Sequence, residues 1–172
     1  MAEEFYDRMT EIEQLRAKYR AINGGVLLAL YGRRRVGKTE LVKRFMGELP
    51  QKQKFYFYVD LSGKQEILNS LSAAILEQLN ETIKFGSFDD FFDYLEGKSS
   101  EKFLLVIDEF QRFLDVAPEF ITKLQNRWDS KLRHSKIMIL IVGSSIGMIK
   151  KITESRAGAL YGRASKIKIS PF

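Results

Sequence analysis

The sequence predicts an α/β protein built on a single parallel sheet with helices on both faces. Three observations carry this expectation. Short runs of aliphatic and aromatic residues recur along the chain, as strands buried on both faces require. Between them lie stretches whose apolar residues repeat every three or four positions, the stripe of an amphipathic helix. The two kinds of segment alternate, and right-handed crossovers between parallel strands then place helices on each side of the sheet.

The elements follow in order. Residues 6–20 set Met9, Ile12, Leu15 and Tyr19 at helical spacing, and Asn23-Gly24-Gly25 breaks that helix. Val26–Tyr31 reads as strand one, and Lys38–Met46, with Leu41, Val42 and Phe45 apolar, as the helix after it. Lys54–Val59 is aromatic and β-branched and gives strand two. Gln65–Leu79 carries Ile67, Leu68, Leu71, Ile75 and Leu79 at helical spacing, and a shorter helix is expected over Phe88–Leu95 with Ser87 as its N-cap. Phe103–Ile107 is strand three. Pro118 suits the first turn of a helix running to about Leu132, Ile137–Val142 is strand four, and Ile167–Ile169 is strand five. No repeat, low-complexity tract or linker interrupts residues 1–172, so a single domain is expected.

Composition narrows the class. With 45% apolar residues, 13 Phe and only 3 Pro, the chain can fill a core and does not read as disordered. It has no cysteine, which excludes disulfides and thiolate metal sites. Its opening residues are acidic and amphipathic where a signal peptide is basic and then apolar. The longest apolar runs, such as Ile137–Val142, fall far short of the roughly 20 residues that span a bilayer. A cytoplasmic protein without a membrane segment is expected. The net charge of +6 favours polyanions in general, but a phosphate-binding protein carries extra cations for its own ligand. The basic residues are also scattered: Arg33-Arg34-Arg35, then Lys131, Arg133, His134 and Lys136, then Lys150-Lys151. The second group falls at a predicted helix end, where the dipole attracts cations anyway. Nucleic acid remains a partner class that no motif supports.

Gly32-Arg33-Arg34-Arg35-Val36-Gly37-Lys38-Thr39 fits G-x-x-x-x-G-K-[ST] at every fixed position. At a background of about 7% Gly, such a match arises by accident in well under roughly one chain in a hundred. It also leaves a predicted buried strand and enters a predicted helix. Glycines let the backbone turn so that N–H groups point at a β-phosphate, and the helix N-terminus adds the positive end of its dipole. Lys38 is then expected to bridge the β- and γ-phosphates and Thr39 to ligate Mg²⁺, with Glu40 beginning the helix beside them. Arg33, Arg34 and Arg35 need only donate backbone N–H groups; their side chains can meet phosphate, a partner or water.

A P-loop of this kind needs a carboxylate at the end of another buried strand, and Phe103–Ile107 runs into Asp108-Glu109. Asp108 is the expected metal-orienting acid and Glu109 the general base that polarises the attacking water. Strand four ends in Gly143-Ser144-Ser145. A serine there can contact the γ-phosphate or cap the helix Ile146–Ile152, one role for each serine.

With these residues on the page, the chain resembles the archaeal ATPase family, P-loop NTPases of the additional-strand, catalytic-glutamate division that are grouped with STAND NTPases and distantly similar to AAA+ proteins. Phe5-Tyr6-Asp7-Arg8-Met9-Thr10-Glu11 is similar to its opening F-x-[GD]-R-x-x-E, ahead of a helix that flanks the adenine pocket. Ile107-Asp108-Glu109-Phe110-Gln111, Leu124-Gln125-Asn126-Arg127-Trp128-Asp129, Gly143-Ser144-Ser145 and Leu160-Tyr161-Gly162-Arg163 complete the likeness. The resemblance implies a three-layer sandwich with strand order 5-1-4-3-2, ATP with Mg²⁺ at the C-terminal strand edge, Arg8 beside the nucleotide, and Arg163 as a γ-phosphate contact comparable to an arginine finger. Arg156 is a weaker candidate for that role. Without the resemblance, Arg163 is a basic residue before an edge strand.

The family also has a helical lid, a winged helix and often a nuclease-like region beyond the equivalent of Ser170-Pro171-Phe172. These 172 residues hold none of them, so an ATPase core, excised or truncated, is expected. The expected function is ATP hydrolysis or an ATP-dependent conformational switch. The alternative is a nucleotide-dependent protein- or DNA-binding module with negligible hydrolysis. Binding is the firmer expectation of the two, because lids exclude water and complete catalytic sites.

Overall fold

The computed structural model describes residues 8–171. Phe5, Tyr6 and Asp7 of the opening motif, and Phe172, lie outside the described residues. Strands β1 (Val26–Tyr31), β2 (Lys54–Tyr58), β3 (Phe103–Asp108), β4 (Ile137–Gly143) and β5 (Ser165–Lys168) form one sheet in the order β2-β3-β4-β1-β5. Every pairing is parallel. Taken from its other edge this is 5-1-4-3-2, the order the resemblance implies. The helices are α1 (Met9–Arg20), α2 (Lys38–Met46), α3 (Lys64–Leu79), α4 (Phe88–Glu96), α5 (Phe113–Val116), α6 (Glu119–Ser130) and α7 (Ile146–Thr153).

Side chains alternate along each strand, and the sheet therefore separates two cores. On one face Leu28, Leu30, Leu104, Val106, Met138 and Leu140 pack against Ile12 and Leu15 of α1 and Leu41, Val42 and Phe45 of α2. On the other, Ala29, Phe55, Phe57, Leu105, Ile139 and Ile141 meet α3, α4, α6 and α7. Phenylalanines dominate this second core. Phe113 and Phe120 stack with centroids 4.0 Å apart and planes 7° from parallel, and Phe88 meets Phe120 edge-on at 5.2 Å. Such pairs contribute about 0.5–1.5 kcal/mol each beyond burial. Phe110 and Phe113 anchor a segment the periodicity does not reveal, a 3₁₀ turn over Phe110–Arg112 that leads into α5.

Most boundaries fall within one residue of expectation, and two differ by more. The helix from Pro118 stops at Ser130, and Leu132–His134 forms a 3₁₀ turn whose Arg133 carbonyl accepts from the Gly25 amide at 2.8 Å. That close approach is why Gly25 must be glycine, since a Cβ there would stand 2.1 Å from the Leu132 carbonyl oxygen. Strand β5 begins earlier than Ile167, at Ser165, because it is an edge strand set by pairing with Leu28–Tyr31 of β1. Apolarity follows burial, which an edge strand largely lacks. Among the described residues no helix is long and apolar enough to cross a membrane.

Register places the site. Tyr31 pairs with Gly143 and Asp108 with Val142, so the residues that follow β1, β3 and β4 emerge side by side at one end of the sheet.

Candidate nucleotide site

After Tyr31 the chain turns through Gly32–Gly37 into α2. Arg35 (φ 65°) and Gly37 (φ 89°) both adopt left-handed backbone, and alternating hands of this kind turn successive amides into an anion-binding nest. Around Gly37 there is open space for a Cβ, so conformation rather than crowding calls for glycine. Lys38 is buried and donates from Nζ to the Arg33 carbonyl at 2.6 Å, which folds its ammonium across its own loop. Desolvation holds this lysine below its ordinary pKa, opposed by the negative charges of Glu109 and Asp108.

The Thr39 hydroxyl donates to Asp108 Oδ2 at 3.1 Å, and the Tyr56 hydroxyl donates to the same oxygen at 2.5 Å. Asp108 Oδ1 accepts from the Glu109 amide at 2.8 Å, which fixes the carboxylate plane. Burial first, and then the bond to Asp108, pushes the Tyr56 phenol far above its usual range. A hydroxyl and a carboxylate side by side are hard oxygen donors of the kind Mg²⁺ takes, in ones and twos, alongside substrate phosphates and water. Among the described residues no three His, Cys, Asp or Glu gather into a metal cage of their own. The donor set therefore fits magnesium, with phosphate or water completing the shell.

Glu109 stands in left-handed backbone (φ 55°, ψ 41°) directly after β3, a conformation that costs a non-glycine residue about 1–3 kcal/mol and concentrates at functional sites. Its Oε2 accepts from the Ser144 hydroxyl and from Gln111 Nε2, each at 3.0 Å, and lies 3.5 Å from Arg112 Nε. The two serines divide the work. Ser144 faces Glu109, while Ser145 caps α7 by accepting from the Met148 amide at 3.4 Å. A cavity of about 440 Å³ opens over this group, lined by Lys38, Thr39, Asp108, Glu109, Arg112 and Ser144 among others. Arg34, Arg35 and Glu40 also line it, whereas the exposed Arg33 is not among its lining residues.

Arg8 is buried beneath the loop rather than in the cavity. Its Nη2 donates to the Val36 carbonyl at 3.0 Å and to the Ser170 carbonyl at 2.7 Å. It ties the phosphate loop to the segment after β5, so its place is structural support for the loop.

Arg163 is not brought to the site. Both carboxylate oxygens of Asp129 accept from it at 2.8 Å. It precedes Ser165, the partner of Leu28, whereas the loop begins past Tyr31 at the other end of the strand. The separation is roughly 20 Å at about 3.3 Å per residue. A γ-phosphate contact from Arg163 within the same chain is therefore corrected: a right-handed crossover returns the chain to the N-terminal edge before β5 begins. Arg156, exposed in the turn after α7, lies toward the same end.

Sequence reasoning missed Tyr56, Gln111 and Arg112 as site residues. Arg112 follows Glu109 at i+3 and carried a local signal. Tyr56 carried none, because its approach to Asp108 depends on the pairing of β2 with β3.

Residues 5–172 match an ATPase domain predominantly from Archaea. The chain belongs to that family. The ATPase domain is 29% identical over 168 residues to an uncharacterized protein of Methanocaldococcus jannaschii, a match that takes in 97% of this chain and 36% of that protein. Its fold is shared with the Walker-type ATPase of Pyrococcus abyssi (TM-score 0.63, 20% identity, 96% of this chain and 53% of that one). It is likewise shared with the Aeropyrum pernix ORC2 protein (TM-score 0.65, 19% identity, 94% and 47%). Cdc6p of Pyrobaculum aerophilum gives TM-score 0.63 at 21% identity over 96% and 45%. The ATPase domain thus spans about a third of its curated relative and about half of these solved chains.

Proposed function

We propose that this ATPase domain binds ATP with Mg²⁺ over the loop Gly32–Thr39 and hydrolyses it, with bound nucleotide biasing the conformation of whatever adjoins the domain. One observation carries the proposal: Lys38, the Thr39–Asp108 pair and the Glu109–Ser144 pair converge on one cavity at the C-terminal ends of three adjacent strands. Loop amides hold the phosphates, and Lys38 exchanges the Arg33 carbonyl for phosphate oxygens. Thr39 and Asp108 would hold a magnesium ion, which when bound would neutralise charge on the phosphates. Glu109 accepts a proton from water as its oxygen attacks the γ-phosphorus and the bond to the bridging oxygen of ADP breaks. The Ser144 hydroxyl donates its single proton to Glu109 and so helps to hold that carboxylate; a γ-phosphate contact from Ser144 would take the place of this bond. The family, and the lack of an Asn-Lys-x-Asp guanine signature, support ATP over GTP.

The test is phosphate release and ATP binding by wild type and by Glu109→Gln. The substitution is expected to cut turnover by roughly 10²–10⁴-fold, the scale of a general base, while binding is kept. A wild-type chain that binds ATP without releasing phosphate overturns hydrolysis and leaves the nucleotide-dependent binding module.

A further inference from the structure

Arg112 is held more firmly than a surface arginine needs. It ends the 3₁₀ turn that follows Glu109, and its side chain is 20% exposed. Its Nη1 donates to the Tyr58 hydroxyl at 2.9 Å and to the Val59 carbonyl at 3.0 Å, and its guanidinium lies 5.2 Å from the centre of the Tyr58 ring. These contacts fasten a long, flexible side chain to the end of β2. The remaining edge, Nε, then faces Glu109 Oε2 at 3.5 Å.

That one oxygen accepts two hydrogen bonds, from the Ser144 hydroxyl at the end of β4 and from Gln111 Nε2 in the turn after β3, and it is the oxygen that faces the charge of Arg112 braced on β2. The other oxygen, Oε1, accepts no hydrogen bond from the described residues and is not among their buried unpartnered atoms, so it is open to solvent where Glu109 lines the cavity. A freely turning carboxylate would offer two equivalent oxygens in several positions. Here one is occupied, and the other is left open.

We infer that Arg112 is a positioning residue for Glu109, orienting the carboxylate so that Oε1 takes the proton of the attacking water. The inference rests on the hydrolytic reading above. Ser144 and Gln111 are nearer but neutral. Arg112 alone carries opposite charge and draws its orientation from a different strand, so it selects which oxygen is held. A catalytic group must be fixed to a fraction of an ångström for its full effect, and a misplacement of 1 Å costs about 10²-fold.

A residue that only pins β2 to the turn would alter stability, whereas a positioning residue alters turnover through Glu109. The experiment compares wild type, Arg112→Ala, Glu109→Gln and the double variant by steady-state phosphate release and by ATP binding. Arg112→Ala is expected to lower kcat by roughly 10- to 100-fold and to leave the Kd for ATP within about twofold of wild type. In the Glu109→Gln background the same substitution is expected to change the residual rate by less than about twofold, as for two groups acting as one unit. Tyr58→Phe, which keeps the exposed ring and removes one anchor of Arg112, serves if Arg112→Ala does not fold, and is expected to lower kcat in the same non-additive way by a smaller factor. Wild-type turnover in Arg112→Ala, or equal losses in both backgrounds, overturns the inference and leaves the hydrolytic reading standing. A wild-type chain without turnover overturns that reading and the inference with it.

Discussion

The two ends of the sheet use similar residues to opposite effect. At the N-terminal end the turns close on one another: Phe103 N donates to Lys136 O at 3.2 Å, Lys136 N to Ser99 O at 3.0 Å, and Lys102 Nζ to Arg20 O at 2.9 Å. Arg163 meets both oxygens of Asp129 there, a fork-to-fork pair that occupies both partners. At the C-terminal end Arg112 reaches Glu109 through a single nitrogen at 3.5 Å, and Lys38 rests on a carbonyl of its own loop. At the first end these groups spend their hydrogen bonds on one another. At the second, Lys38, Glu109 and Arg112 all line one cavity. In open α/β sheets ligands bind at the C-terminal strand ends, and the contrast sets an arginine–carboxylate pair closed on itself at one edge against one that borders a cavity at the other.

Perturbing each end in turn tests that contrast. The largest effect is expected at Lys38. Lys38→Ala removes a charge-assisted contact worth about 1.5–3 kcal/mol, so ATP affinity measured by calorimetry falls roughly 10- to 100-fold. An unchanged affinity would break the assignment of the C-terminal end to phosphate.

Gly143→Ala comes next. An added Cβ would stand 2.5 Å from Ile149 Cγ1 and 2.7 Å from Gln111 Oε1. Overpacking of this kind costs about 1–3 kcal/mol, and the melting temperature should fall accordingly. Because Gln111 must move, phosphate release should fall as well; a loss of stability alone would separate Gln111 from the Glu109 group.

Tyr56→Phe deletes one neutral donor to the Asp108 carboxylate. The expected loss of about 1 kcal/mol should appear as a severalfold shift in the Mg²⁺ concentration that half-saturates turnover. A melting shift with an unchanged Mg²⁺ dependence would confine Tyr56 to structure.

The smallest effect belongs to the N-terminal end. Arg163→Ala should cost at most about 1 kcal/mol, as exposed pairs do, with ATP affinity unchanged. The sign with pH follows from Asp129, whose carboxyl is held below its ordinary range first by its hydrogen bond to Arg163. A depressed folded-state pKa stabilises above the unfolded value and loses that contribution as pH falls through the folded one. The melting difference between wild type and Arg163→Ala should therefore be present at neutral pH and close in acid. A persistent difference in acid would mean that Arg163 acts through its backbone carbonyl contacts instead.

Much of this was legible in the sequence, and for local reasons. Strand and helix periodicities, the turn at Asn23-Gly24-Gly25, the loop Gly32–Thr39 and the acids after strand three are all encoded within a few residues of where they act. The sequence left the two serines open between site and cap; Ser145 takes the cap, since an N-cap has to precede its helix by one position. Arg8 and Arg163 were less legible. Each sits in a recognisable motif, but a motif names a residue without saying which end of the sheet receives its side chain.

The sequence by itself determined that this chain forms a two-faced parallel sheet and carries a phosphate loop followed by an acidic pair, because hydrophobic period and backbone turning are properties of neighbouring residues. The tertiary structure alone decided that Tyr56 reaches Asp108, that Arg112 braces on β2 to face Glu109, and that Arg163 closes on Asp129 at the far edge. Those contacts join residues from different strands, helices and turns, and which of them meet is set by strand register and crossover direction, which exist only once the sheet is assembled.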